Sequence, residues 1–264
     1  MKLLYLGDLV GRAGRMAAIE SLPRLRRDLE LDFVVVNGEN AANGFGITPK
    51  ICDQVYGAGA DVIVLGNHAW DAREIISHID GEPRLIRPLN LPSGTPGRGA
   101  NVYEVPGGRR ILIVQVLGRI FMDPLDDPFT AAAGALAAHT LGGSVNAIFV
   151  DMHAEATSEK MAIGHYLDGK VSCVFGTHTH VPTADHQILP GGTGYMSDVG
   201  MCGDYDSVIG MEKAEPVRRF TRKMPGARFA PATGEATVCG VYLEIDDNTG
   251  LTTYLAPLRQ GGRL

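Results

Sequence analysis

The stretch DFVVVNGEN (32–40) sets the frame for the chain. Phe33 to Val36 form an apolar run without polar alternation, the pattern of a strand buried on both faces. The run ends in Gly38, and Glu39 and Asn40 follow it. LLYLGD (3–8) repeats this order upstream, with 31 positions from Asp8 to Glu39, and DVIVLGNH (61–68) repeats it downstream, with 28 positions from Glu39 to Asn67. Between these runs lie RMAAIESLPRLRRDLE (15–30), which reads as a helix with Pro23 as an irregularity, and a helix opening at Thr48-Pro49. A βαβ unit takes roughly 30 residues, so parallel strands would bring the three polar ends to one edge of a sheet. Ligands in open α/β sheets lie beyond the carboxyl ends of the strands.

The same alternation continues outward. A helix is expected from about Asp71, then a Pro/Gly-rich passage, RPLNLPSGTPGRG (87–99), and two strands, NVYEV and RRILIVQVL, joined by Pro-Gly-Gly. An alanine-rich helix, VNAIFVDMH (145–153) and a helix near Ser158 to Leu167 follow. VSCVFGTHTHVPTAD (171–185) is the last apolar run of this kind, and it stops at Gly176 before His178 and His180. Residues i and i+2 of an extended segment project to the same side, so both imidazoles can face one point. A metal site explains that spacing; a loop pair that only makes hydrogen bonds explains it equally well. Residues 191–231 are richer in glycine, proline and charge, and read as a loop wall that helps shape a pocket, as an oligomer contact, or as a solvated surface insertion carrying the basic run RRFTRK (218–223). VCGVYLEIDDNTGLTTYLAPL (238–258) reads as a closing hairpin. The expected fold is α/β, layered, with central β-sheets flanked by helices and ligands at the carboxyl ends of strands, in one domain over 1–264.

Singly, each polar strand end has an ordinary explanation. Asp8 and Glu39 suit helix caps or turns, Asn67 tolerates a left-handed turn after Gly66, and His153 could be one more loop histidine. Together they place an N or O ligand after every major strand. His78, His139, His165 and His186 lack that setting and receive no role.

The totals narrow the function classes. The 264 residues are 45% hydrophobic and 20% charged with a net charge of −6, which argues against a surface that coats nucleic acid and leaves room for a small anionic substrate. The four cysteines, Cys52, Cys173, Cys202 and Cys239, form no CxxC pair, so neither a zinc ribbon nor a disulfide framework is expected. Asp8 interrupts the apolar N-terminus before it reaches signal-peptide length, and no later run approaches a membrane span. The expectation is a cytoplasmic globular protein with no membrane partner.

The ordered set GD (7–8), GEN (38–40), GNH (66–68), DMHAE (151–155) and GTHTH (176–180) resembles the calcineurin-like metallophosphoesterases, and in particular their YmdB-like phosphodiesterase branch. HAEATSEK (153–160), THTHVPTAD (177–185) and SDVGMCGDYDSVIGM (197–211) resemble that branch too. Three departures from the wider superfamily accompany it: Asp8-Leu9-Val10 lacks the histidine of the usual D-x-H, Glu39 stands where an aspartate usually bridges, and Ala69 replaces an acidic neighbour, with Asp71 close by. The resemblance implies one metal held by Asp8, Glu39, Asn40 and His180, and another held by Glu39, Asn67, His153 and His178, with Glu39 bridging. It implies iron or manganese, with zinc tolerated by such a donor set. It further implies a homo-oligomer and 2′,3′-cyclic nucleotides as substrates, with His68 as general acid or phosphate stabiliser; a purely supporting hydrogen bond is the plainer role for His68. Two carboxylates against two divalent ions leave the bare site at about +2, which a hydroxide and a phosphodiester anion would neutralise, and in-line attack of that hydroxide on phosphorus follows. The rival expectations are a phosphomonoesterase, a regulatory metal- or nucleotide-binding protein acting through a partner, and a metal-dependent amidohydrolase. The last carries its His-x-His on the first strand, where this chain has none.

Overall fold

The structure, a computed structural model, describes residues 1–264 with the exception of residue 225. The first half runs β1 (Lys2–Leu6), β2 (Asp8–Leu9), α1 (Gly11–Asp28), β3 (Phe33–Asn37), α2 (Pro49–Gly57), β4 (Val62–Val64) and β5 (Leu85–Ile86). Next come β6 (Ala100–Val105), β7 (Arg109–Leu117), α3 (Pro128–Leu136), β8 (Ala147–His153), α4 (Thr157–Leu167) and β9 (Cys173–Thr177). The chain closes with β10 (Gln187–Ile188), β11 (Gly194–Met196), β12 (Met201–Asp204), α5 (Ala214–Arg222), β13 (Ala236–Ile245) and β14 (Thr252–Gln260).

Side-chain parity divides the strands between two cores. Leu4, Leu6, Val34 and Val36 face one way and meet Ala18, Leu22 and Leu25 of α1 and Ile51, Cys52 and Val55 of α2. Leu3, Tyr5, Phe33 and Val35 face the other way and meet Ile111, Ile113, Phe149 and Phe175 of a second sheet. The outer face of that second sheet, with Val114, Ile148 and Val150, is covered by Ala132 of α3 and Ile163 and Leu167 of α4. Four layers result, helix, sheet, sheet, helix, which is why the central runs are apolar at every position.

The first sheet has the order β2-β12-β13-β1-β3-β4-β5, with β14 also on β13. The second has the order β10-β11-β9-β8-β7-β6. β1, β3, β4 and β5 are parallel to their neighbours in that group, and so are β7, β8, β9 and β11. Each group therefore presents its carboxyl ends along one edge.

Three expectations need correction. The helix expected from Asp71 is only two short 3₁₀ turns, Arg73–Ile75 and Ile79–Gly81; Ile75 and Ile79 are buried at helical spacing, but the segment is a brief connection between parallel strands. Residues 191–231 are not one loop: they supply β11, β12 and α5, and the basic run starts inside α5 and ends at its left-handed cap, Lys223. α1 begins four residues before Arg15 and continues through Pro23. Among the described residues no helix is long and apolar enough to cross a membrane.

Candidate metal centre

Asp8 opens β2 in parallel register with Met201 of β12 and is fully buried. Glu39 and Asn40 occupy the turn after β3, where the Glu39 N–H donates to Asn37 Oδ1 at 3.0 Å. Asn40 donates its Nδ2 to the Gly44 carbonyl at 3.0 Å, which fixes the amide and leaves Oδ1 as the open acceptor. Asn67 follows β4 and Gly66. A Cβ at Gly66 would collide with Glu39 Oε2 and His153 Nε2, so only glycine lets these ligands close over the strand end.

Each of the three histidines turns one ring nitrogen inward, and in His153 and His180 the other is anchored. The His153 Nδ1 lies 2.8 Å from Thr177 Oγ1, and the Thr177 hydroxyl donates to Asp151 Oδ1 at 2.8 Å. With that proton committed, Nδ1 is the donor and Nε2 is left as the free nitrogen. Asp151 is held in turn by the Tyr5 hydroxyl at 2.9 Å and Gln115 Nε2 at 2.8 Å. His178 Nε2 stands 3.2 Å from Glu155 Oε2, leaving Nδ1 to face His153 Nε2 at 3.2 Å. His180 donates Nδ1 to the Ile209 carbonyl at 2.8 Å, and its Nε2 lies 4.0 Å from Asp8 Oδ1.

The inward atoms form two groups, Glu39 with His153 and His178, and Asp8 with Glu39 and His180, in each of which the ligand atoms lie within 4.8 Å of one another. Glu39 belongs to both. Asn67 Oδ1 joins the first group at 2.9 Å from His153 Nε2. Asp8 Oδ1, Glu39 Oε1 and Asn40 Oδ1 are buried without a hydrogen-bond donor. Glu39 Oε1 is 3.1 Å from His153 Nε2, close enough for charge attraction but outside hydrogen-bond geometry. Buried acceptors without donors are costly in a protein interior, and carboxylate, amide and imidazole lone pairs converging on one region fit cations.

The electrostatics point the same way. Burial raises the Asp8 carboxyl to about 6, against the opposing pull of His180 and His153. Burial would raise Glu39 as well, but the His153 charge outweighs it and holds the acid at about 2. His153 shows the converse: burial would lower it, and the Glu39 carboxylate raises it to about 9. Burial and the neighbouring His153 charge depress His178 to about 3. The cluster thus draws one positive charge to the Glu39–His153 point and refuses a second on the adjoining ring, which is the electrostatic demand a divalent ion meets.

The convergence of His178 and His180 does not come from an extended segment, contrary to the sequence-based expectation. β9 ends at Thr177, and both histidines adopt left-handed backbone, with φ of 93° and 65°. Such conformations are strained for non-glycine residues and persist where surrounding contacts impose them. Asp198 ties down the residue between them: its Oδ2 accepts from the Thr179 N–H at 3.1 Å, the Thr179 hydroxyl at 2.6 Å and Lys160 Nζ at 2.9 Å. Its Oδ1 accepts from the Gly200 N–H at 2.8 Å. Lys160 and Asp198 are 2% and 1% exposed, so this is a fully interior ion pair. Asp151, Thr177, Lys160 and Asp198 stand inside the quoted motifs, but the sequence assigned them no role. The readable sign was an acid inside the apolar run AIFVDMH (147–153).

His68 lies outside both ligand groups. Its N–H donates to Glu39 Oε2 at 3.0 Å and its Nδ1 lies 2.8 Å from Asp71 Oδ2. With Glu39, Asn40, His178 and His180 it lines a cleft of about 360 Å³.

Known proteins match the chain over nearly its whole length. A crystal structure of a hypothetical protein from Thermus thermophilus superposes with a TM-score of 0.93 at 44% identity, covering 100% of both chains. A crystal structure of a novel phosphatase from Mycoplasma pneumoniae superposes with a TM-score of 0.92 at 34% identity, covering 99% of this chain and 93% of that one. The 2′,3′-cyclic-nucleotide 2′-phosphodiesterase of Bacillus subtilis (strain 168) is 47% identical over 249 residues, 94% of this chain and 93% of that protein. The model of the YmdB-like protein family matches residues 4–258, and the chain belongs to that family.

Proposed function

We propose that this phosphoric ester hydrolase opens 2′,3′-cyclic nucleotides at a centre of two metal ions. Asp8, Glu39, Asn40 and His180 would hold one ion, and Glu39, Asn67, His153 and His178 the other, with residues 1–264 acting as one domain. The donor set favours iron or manganese and tolerates zinc. One observation carries the dinuclear reading: Glu39 is common to both ligand groups, and its Oε1 is buried without a donor. The substrate class is supported by the name of the Bacillus subtilis relative.

Bound there, two ions would activate water near neutral pH and offset the charge of the phosphoryl oxygens. The chain supplies position and a proton. Thr177 and Ile209 hold the anchored nitrogens of His153 and His180, so the opposite nitrogens keep their direction when substrate enters, and Glu155 stands beside the outer nitrogen of His178. His68 is beside the ligands without being one. Its Nδ1 is committed to Asp71, which leaves Nε2 to carry a proton to the departing alkoxide and lets the Asp71 carboxylate support the protonated ring. General acids of this kind contribute typically ~10²–10⁴-fold.

The test is metal analysis joined to turnover. Protein stripped with chelator and reloaded with manganese or ferrous iron should take up two equivalents and convert 2′,3′-cyclic AMP to a nucleoside monophosphate. Trace metal at most, with turnover indifferent to chelator, would sink the dinuclear centre; release of inorganic phosphate from monoesters alone would replace the diester reading with a monoesterase.

A further inference from the structure

We infer that the apolar side of the cleft above the metal centre seats the nucleobase of the substrate and accepts any base. This rests on the cyclic-nucleotide reading of the site and adds where the base goes and how it is held. The cleft has two kinds of lining. Glu39, Asn40, His68, His178 and His180, with Glu155 and Thr179, make its polar floor, while Phe45, Ile209, Met211, Phe220 and Phe229 make an apolar wall. The side chains of that wall carry no nitrogen or oxygen. A volume of about 360 Å³ suits a ligand of nucleotide size. The phosphate belongs beside the ligands of the floor, so the base is left against the wall.

The wall is tied to the floor rather than merely near it. Phe45 meets the His68 ring edge-on, with centroids 5.0 Å apart. Ile209 gives its carbonyl to His180 Nδ1 at 2.8 Å while held at a φ of 46°, a backbone region a β-branched residue seldom adopts. That strain directs one face of the residue at a ligand and leaves its side chain 52% exposed in the cleft. Phe229 already has a partner, the Arg219 guanidinium 3.9 Å from its ring centroid. Phe220, on α5, lines the cleft and is nonetheless 78% exposed. Among the described residues it has no ring or cation partner, so it can receive another ring. Every base offers a π-face, so stacking on an aromatic ring is tolerant of base identity. Discrimination between bases needs polar groups matched to their edges; the apolar wall has none among its described side chains, the Thr179 hydroxyl is given to Asp198, and Glu155 lies against His178 Nε2.

The experiment compares the four nucleoside 2′,3′-cyclic phosphates with glycerol 1,2-cyclic phosphate, which has the same reacting ring and no base. The four nucleotides should share similar KM values, and the glycerol ester should show a KM higher by about tenfold or more. Phe220→Ala should collapse that difference, and Phe220→Trp should preserve it. An unchanged ratio in Phe220→Ala, or a preference of more than about 100-fold for one base in the wild type, overturns the inference. Calorimetry with adenosine 3′-phosphate on manganese-loaded protein reads the same subsite without turnover, so a failure of hydrolysis is separable from a failure of base binding. Binding weakened about tenfold in Phe220→Ala supports the subsite, and equal binding removes it. Sedimentation showing that Phe220→Ala separates copies of the chain, with the KM ratio intact, would assign the ring to a contact between copies and overturn the base site.

Discussion

Glu39 carries more of the centre than any other side chain. Its carboxylate reaches both ligand groups, and Glu39→Gln keeps the size while removing one negative charge and one good acceptor oxygen. Metal affinity should fall by at least about 100-fold, beyond the roughly 10–100-fold that loss of an outer partner costs. The variant should still unfold cooperatively, as the metal-free wild type should, because the residue sits in a turn past β3. Two tightly bound ions in Glu39→Gln would show that another group bridges. His68 is tested by the leaving group. His68→Ala should keep the metals and lose turnover by ~10²-fold or more on an alkoxide-leaving diester, and far less on bis(p-nitrophenyl) phosphate, whose phenolate leaves without a proton. Equal losses would make it a phosphate-positioning group. The position of both at a strand end was legible in the sequence because each stands just past an apolar run closed by glycine. Asp71, which holds His68 Nδ1, was legible only as a neighbour.

Elements were legible where burial dictated the pattern and illegible where tertiary contacts did. β1, β3, β4, β8 and β9 are mainly apolar on both faces because each lies between a sheet and a helix layer, and α2 announces itself with Thr48 capping the Ile51 N–H at 3.3 Å. α5 carries a short apolar arc of Pro216, Val217 and Phe220, but only Pro216 is buried, so no core packing announces the helix. The turn after β9 was misread because spacing suggested a pleat, whereas Asp198, some 20 residues on in sequence, ties down Thr179 within it. Lys160→Met tests that device. It leaves Asp198 interior and short of its cation, with hydrogen bonds from Thr179 and Gly200 remaining. Stability should drop by about 3–5 kcal/mol, the range for breaking a buried pair. Chelator competition should also show metal affinity reduced by roughly 10-fold or more as the His178–His180 turn loosens. A stability loss with unchanged metal affinity would confine the pair to packing.

At the scale of the molecule, the two sheets meet at the centre through their carboxyl ends and are joined at the other end by a different device. Arg109 opens β7 in the second sheet and reaches Asp32, just before β3 in the first, with Nη2 to Oδ1 at 2.5 Å and Nη1 to Oδ2 at 3.3 Å. It also contacts Asp247 in the turn between β13 and β14 at 3.3 Å. The Arg109 and Asp32 side chains are 21% and 25% exposed, so solvent screens the pair only partly. Burial alone would raise the Asp32 carboxyl, but Arg109 and the Lys2 N–H hold it below its usual value. A depressed carboxylate adds stability above its unfolded pKa of about 4 and loses it as pH falls through the lower folded value. Arg109→Met should therefore cost about 1–2 kcal/mol at pH 7, the worth of a partly buried bidentate pair. The gap between variant and wild type should narrow below about pH 4, as Asp32 takes up its proton in both. Metal content and turnover should stay as in the wild type, because the clamp lies at the end away from the ligands. Urea unfolding of the metal-free proteins at pH 7 and pH 3 measures the difference. A gap that is the same at both pH values would show that Arg109 stabilises by packing its apolar stem, with the Asp32 charge contributing nothing.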